Sequence, residues 1–62
     1  MTKPRILVVE NEFIVAFELK MALEGMGYAV CGIVSSGEDA LAYAEREQPD
    51  CVLMDVSLNG EI

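Results

Sequence analysis

Three short apolar runs alternate with two longer stretches in which apolar residues recur every three or four positions. Ile6-Leu7-Val8-Val9 is a continuous β-branched and leucine run, suited to a strand buried on both faces. Residues 12–26 predict a helix, with Val15, Ala16, Leu19, Ala22, Leu23 and Met26 along one buried stripe. Gly25 and Gly27 supply its stop, because glycine tolerates the left-handed geometry that ends helices. Residues 28–34 predict a second strand. Ser36-Gly37-Glu38-Asp39 opens a second helix, with Ser36 as cap and Asp39 in the charge-favoured first turn; Ser35 with Glu38 offers the same spacing one residue earlier. Ala40, Leu41 and Ala44 form its apolar stripe, and Glu45, Arg46 and Glu47 its solvated side. Gln48-Pro49-Asp50 ends it, since proline disfavours helical geometry in the preceding residue. Cys51-Val52-Leu53-Met54 predicts a third strand, and Val56 to Gly60 a loop.

The order β-α-β-α-β with right-handed crossovers places the second and third strands on opposite sides of the first. The predicted fold class is α/β: a flavodoxin-like, doubly wound parallel sheet in the order 2-1-3, with an open edge on the third strand. That strand has the composition of a central one. The chain is therefore expected to be an incomplete domain; self-association through the open edge is the alternative.

Each of two strands ends in acidic or amide groups, Glu10-Asn11 after the first and Asp55 after the third. In open α/β sheets, ligands bind beyond the carboxyl ends of the strands. Adjacent strands lie about 4.8 Å apart, so these three residues can share one divalent cation.

Composition narrows the partners. The 62 residues carry 11 Asp and Glu against 4 Lys and Arg, a formal net charge of −7, and no histidine. There is no basic stripe for nucleic acid, and the charge opposes binding to anionic membrane. Acidic clusters favour cations or basic partner surfaces. Cys31 and Cys51 fall on strands separated by two spacings, roughly 9–10 Å, beyond the roughly 7 Å that a disulfide allows. Buried free thiols and a cytoplasmic location follow. No apolar run could span a bilayer, and residues 1–5 do not begin a leader. Gly25-x-Gly27 ends a helix instead of following the first strand, so it is not a dinucleotide loop.

Taken in order, Val8-Val9-Glu10-Asn11-Glu12, Gly25-Met26-Gly27-Tyr28, Ser36-Gly37-Glu38-Asp39-Ala40-Leu41 and Pro49-Asp50-Cys51-Val52-Leu53-Met54-Asp55 resemble the receiver domain of two-component response regulators. The match spans nearly the whole chain, which makes residues 1–62 the N-terminal portion of one receiver domain. The resemblance implies a phosphoacceptor, not an enzyme: Asp55 takes a phosphoryl group from the phosphohistidine of a sensor histidine kinase or histidine phosphotransfer protein. It implies Mg2+ held by Asn11, Asp55 and the Ser57 carbonyl, with Glu10 acting through water. Asn11 departs from the aspartate many receivers carry, which lowers the expected cation affinity and favours, as alternative, a non-phosphorylated receiver-like interaction module. The family's later hydroxyl and lysine positions lie past Ile62, so these residues alone are expected to lack efficient transfer and switching. An aspartyl-phosphate hydrolase would have a second aspartate where Ser57 stands. Phe13, Phe17 and Met21 lie off the main stripe of the first helix. Either they meet further parts of the domain, or they form the surface that meets the kinase's histidine-bearing bundle.

Overall fold

The computed structural model describes residues 2–54; Asp55, Ser57 and the loop expected at 56–60 lie outside the described residues. Three strands and two helices follow in the predicted order: β1 (Arg5–Val9), α1 (Phe13–Gly25), β2 (Ala29–Val34), α2 (Gly37–Glu47) and β3 (Cys51–Met54). The sheet is parallel in the order β2-β1-β3, as expected. Val9 pairs with both Val34 and Met54, so the three strands end level at their carboxyl edge.

β1 is the centre of the core because both of its faces are covered. Ile6 and Val8 meet Ala16, Leu19 and Leu23 of α1, together with Val30 and Ile33 of β2. Leu7 and Val9 meet Ala40 of α2, joined by Cys31, Val34 and Tyr43.

β2 is not a regular strand. Ile6 pairs with Val30 but Leu7 pairs with Gly32, leaving Cys31 as an extra residue in a β-bulge. The bulge lets Val30 and Ile33 reach the same face, which strict alternation would forbid. The Tyr43 hydroxyl donates to the Cys31 carbonyl, and the Cys31 thiol donates to the Ile6 carbonyl at 3.5 Å. Gly32 is required here, since a Cβ would stand 2.6 Å from the Tyr43 ring.

The helix ends follow from local chemistry. α1 finishes in a Schellman motif: Tyr28 N–H donates to the Leu23 carbonyl and Gly27 N–H to Glu24, with Gly27 at φ 98°. Gly25, also expected to act as a stop, is still helical. Ser36, not Ser35, caps α2 by accepting from Asp39 N–H at 3.2 Å. α2 ends at Glu47, so Gln48-Pro49-Asp50 breaks the helix as expected, with Gln48 left-handed at φ 49°. The Arg5 guanidinium donates to the carbonyls of Glu47 and Gln48 at 2.8 and 3.4 Å, a cation seated on the last turn of α2. Arg5 and Asp50 are also tied twice: Asp50 N–H donates to the Arg5 carbonyl at 2.8 Å, and Arg5 N–H donates to the Asp50 carboxylate at 2.7 Å.

Three expectations need correction. Leu41, expected on the apolar stripe of α2, is 71% exposed, while Ala40 is buried and Ala44 half-buried. The apolar stripe of α1 is narrower than predicted: Ala16 is buried and Leu19 and Leu23 are half-buried, while Val15, Ala22 and Met26 are exposed. Among the described residues α1 packs on β1 and β2, so only the line facing those strands is covered. Both thiols are free and lie on opposite sides of β1, as expected, but Cys51 is exposed, not buried, because β3 lies at the sheet edge.

Candidate functional site

The carboxyl ends of β1 and β2 frame a cleft of about 360 Å³. Glu10, Asn11 and Phe13 line it from the β1 side; Ile33, Val34, Ser35 and Asp39 line it from the β2–α2 side. Pairing continues one step past β1, where Glu10 N–H donates to the Val34 carbonyl at 2.9 Å. That bond fixes where the acidic pair begins.

Glu10 is only 4% exposed, an unusual burial for a carboxylate. One of its oxygens accepts from the Glu12 N–H at 3.1 Å, at the start of α1 where backbone N–H groups lack helical partners. The other oxygen has no hydrogen-bond partner among the described residues. Asn11 is exposed at the cleft. Carboxylate and amide oxygens are hard donors, the type that magnesium takes alongside several retained waters. Among the described residues, no group of three His, Cys, Asp or Glu is close enough to hold a metal unaided.

The structure thus places the consecutive residues Glu10 and Asn11 at the carboxyl edge of the sheet. β3 runs parallel beside β1 and ends opposite Val9, so the chain leaves β3 at that same edge. Asp55 is the next residue in sequence.

Phe13 and Phe17 stack at 6.4 Å between ring centroids, inclined by 21°. With Met21 they form an exposed apolar flank on α1 that starts at the cleft. Ile14, 73% exposed, extends it and was not singled out from the sequence. Ser35 and Asp39 were also not assigned to the site; the signal for them was topological, since parallel β2 must end beside β1.

A family model for the response regulator receiver domain matches residues 6–61. This chain belongs to the receiver family. Among curated relatives, it is 35% identical over 54 residues to the transcriptional regulatory protein PdtaR of Mycobacterium tuberculosis, covering 87% of this chain and 26% of that one. It is 44% identical over 54 residues to the alkaline phosphatase synthesis transcriptional regulatory protein PhoP of Bacillus subtilis, covering 87% and 22%. It is 33% identical over 54 residues to the phyllosphere-induced regulator PhyR of Methylorubrum extorquens, covering 86% and 20%. The chain therefore spans about a quarter or less of the length of these relatives. No solved structure gives a significant match. The four segments read from the sequence as receiver-like all fall within or against the matched span. No helix among the described residues is long and apolar enough to cross a membrane.

Proposed function

We propose that this receiver chain carries the phosphoacceptor of a cytoplasmic two-component phosphorelay, with Asp55 accepting the phosphoryl group of a phosphohistidine. A single observation carries the reading: β1 and β3 are parallel and end level, and the first of them delivers a buried carboxylate to a cleft at that edge. A carboxylate is ionised at neutral pH, so Asp55 needs no general base to act as nucleophile. The P–N bond to histidine breaks as the bond from an Asp55 oxygen to phosphorus forms, giving an acyl phosphate and returning the electron pair to the imidazole.

Glu10, Asn11, Asp55 and the Ser57 carbonyl would hold Mg2+, Glu10 through water. When bound, that ion neutralises charge on the phosphoryl oxygens that would otherwise repel Asp55. Buried Glu10, anchored through the Glu12 N–H, lines the cleft before any partner arrives. The apolar flank of Phe13, Phe17 and Met21 supplies the docking surface for a sensor histidine kinase or histidine phosphotransfer protein. Residues 1–62 act in this reading as part of one receiver domain, and further layers of that domain cover β3.

Asn11 supports a second reading, an unphosphorylated receiver-like module that only binds partners, because its amide lowers the negative charge of the pair. Incubating the full-length protein with a cognate kinase or acetyl phosphate separates the two. The proposal requires a mass gain of one phosphate that depends on magnesium and is abolished by Asp55→Asn. An unmodified protein under both donors leaves the binding module standing.

A further inference from the structure

In the proposed function β3 carries the chain to the phosphoacceptor, yet β3 has little in itself to set its place along β1. Cys51-Val52-Leu53-Met54 is apolar throughout and exposed at all four positions. Among the described residues, none of its side chains joins either cluster of the core, and β1 is its sole hydrogen-bonded neighbour. A strand without alternation specifies its register weakly. The same β1 accepts a one-residue slip from β2 at Cys31, whereas its pairing with β3 runs unbroken from Ile6–Cys51 to Val9–Met54.

The lock lies one residue before β3. Asp50 N–H donates to the Arg5 carbonyl at 2.8 Å, and the Asp50 carboxylate accepts from the Arg5 N–H at 2.7 Å. Arg5 opens β1, and its guanidinium also holds the carbonyls of Glu47 and Gln48. The end of α2 and the entry to β3 are therefore tied to a single point on β1.

We propose that Asp50 is a positioning residue for Asp55: it locks the register of β3 on β1 and so fixes where the phosphoacceptor emerges at the opposite edge. This rests on the phosphoacceptor reading of Asp55. A strand rises about 3.3 Å per residue, and a slip of one residue turns every side chain to the other face. Such a slip moves the residue after Met54 by that distance relative to Glu10 and Asn11 and reverses its side. Misplacement by about an ångström is enough to slow a reaction that depends on held geometry. Asp50 stands at the other end of the strand from the cleft and acts through β3 alone.

The test is the rate at which acetyl phosphate labels the full-length protein at saturating magnesium, expressed per folded molecule, together with NMR contacts between Val8 and Leu53 across β1 and β3. Asp50→Ala is expected to slow labelling about tenfold, within the loss that a displaced reacting group causes, and to shift the Val8–Leu53 contacts. Asp50→Asn recovers most of the rate, because its amide oxygen still accepts the Arg5 N–H. Asp50→Glu keeps the charge on a longer arm and labels more slowly than Asp50→Asn, the reverse of the order that charge alone would give. If Asp50→Ala does not fold, that order decides the matter, and the opposite order overturns the inference. Ser36→Ala, which weakens α2 without touching β3, labels at the wild-type rate per folded molecule. Wild-type labelling in Asp50→Ala, or an equal loss in Ser36→Ala, overturns the inference and leaves the phosphoacceptor reading intact. A wild-type protein left unlabelled at Asp55 overturns both, so wild type alone tells the two failures apart.

Discussion

Helix α2 carries its own end structures, whereas α1 leans on the sheet and on its C-terminal turn. α2 has Ser36 bonded to the Asp39 N–H, Glu38 and Asp39 in its first turn, Arg46 in its last, and Arg5 donating to its final carbonyls. α1 begins at Glu12 with no side-chain cap, has no acid in its first turn and no base in its last. Its exposed sides are rich in large apolar residues, with Phe13 76%, Ile14 73% and Met21 59% exposed. A helix capped at both ends has stability of local origin; one without an N-terminal cap gets more of it from tertiary packing. In the proposed function, the apolar residues left in water on α1 make it the docking face and α2 the scaffold.

The largest test of that contrast is at the seat of α2. Gly32→Ala drives a methyl group into the Tyr43 ring and is expected to cost about 1–3 kcal/mol, read as a lower urea midpoint. Phe17→Glu on α1 should leave the midpoint nearly unchanged, since Phe17 is already 48% exposed. It should nevertheless slow transfer from a cognate kinase about tenfold, the loss of roughly 1.4 kcal/mol that an aromatic anchor supplies. Acetyl phosphate labelling stays at wild-type rate; equal loss with both donors would remove α1 as the docking face.

Smaller effects separate the helix ends. Ser36→Ala should destabilise by about 1 kcal/mol, while Glu12→Ala, at the equivalent uncapped position of α1, should cost under about 0.5 kcal/mol. Similar losses at the two positions would erase the distinction. Tyr43 ties α2 to the bulge, and burial, then its Cys31 neighbour, raise its phenol above the ordinary 10.0. The folded phenol keeps its proton to higher pH than the unfolded one. Its contribution is therefore complete below about pH 10 and is lost as pH rises through the folded value. Wild type should lose stability above pH 10 more steeply than Tyr43→Phe, an effect solvent screening keeps small.

Element order, strand order, the Ser36 cap and the Gly27 stop were all legible in the residues, because each depends on chemistry within a few positions or on the handedness of crossovers. That Glu10 and Asn11 follow β1 at the carboxyl edge of the sheet was legible for the same reason, while Asp55, expected to join them, lies outside the described residues. The bulge at Cys31 was not. Ala29 to Val34 is apolar throughout, so no alternation marked the slip; Gly32 inside the strand was the one available sign. Nor does any local spacing record the Arg5 guanidinium on the Gln48 carbonyl, 43 residues away.

What this sequence determines by itself is where strands and helices begin, end and cross over, since hydrophobic period and capping act locally. Tertiary structure alone decided which side of α1 is covered, that Arg5 and Asp50 clamp the far end of the sheet, and that Asp39 shares a cleft with Glu10 and Asn11. Those outcomes depend on contacts between residues distant in the chain, and no spacing along it records them.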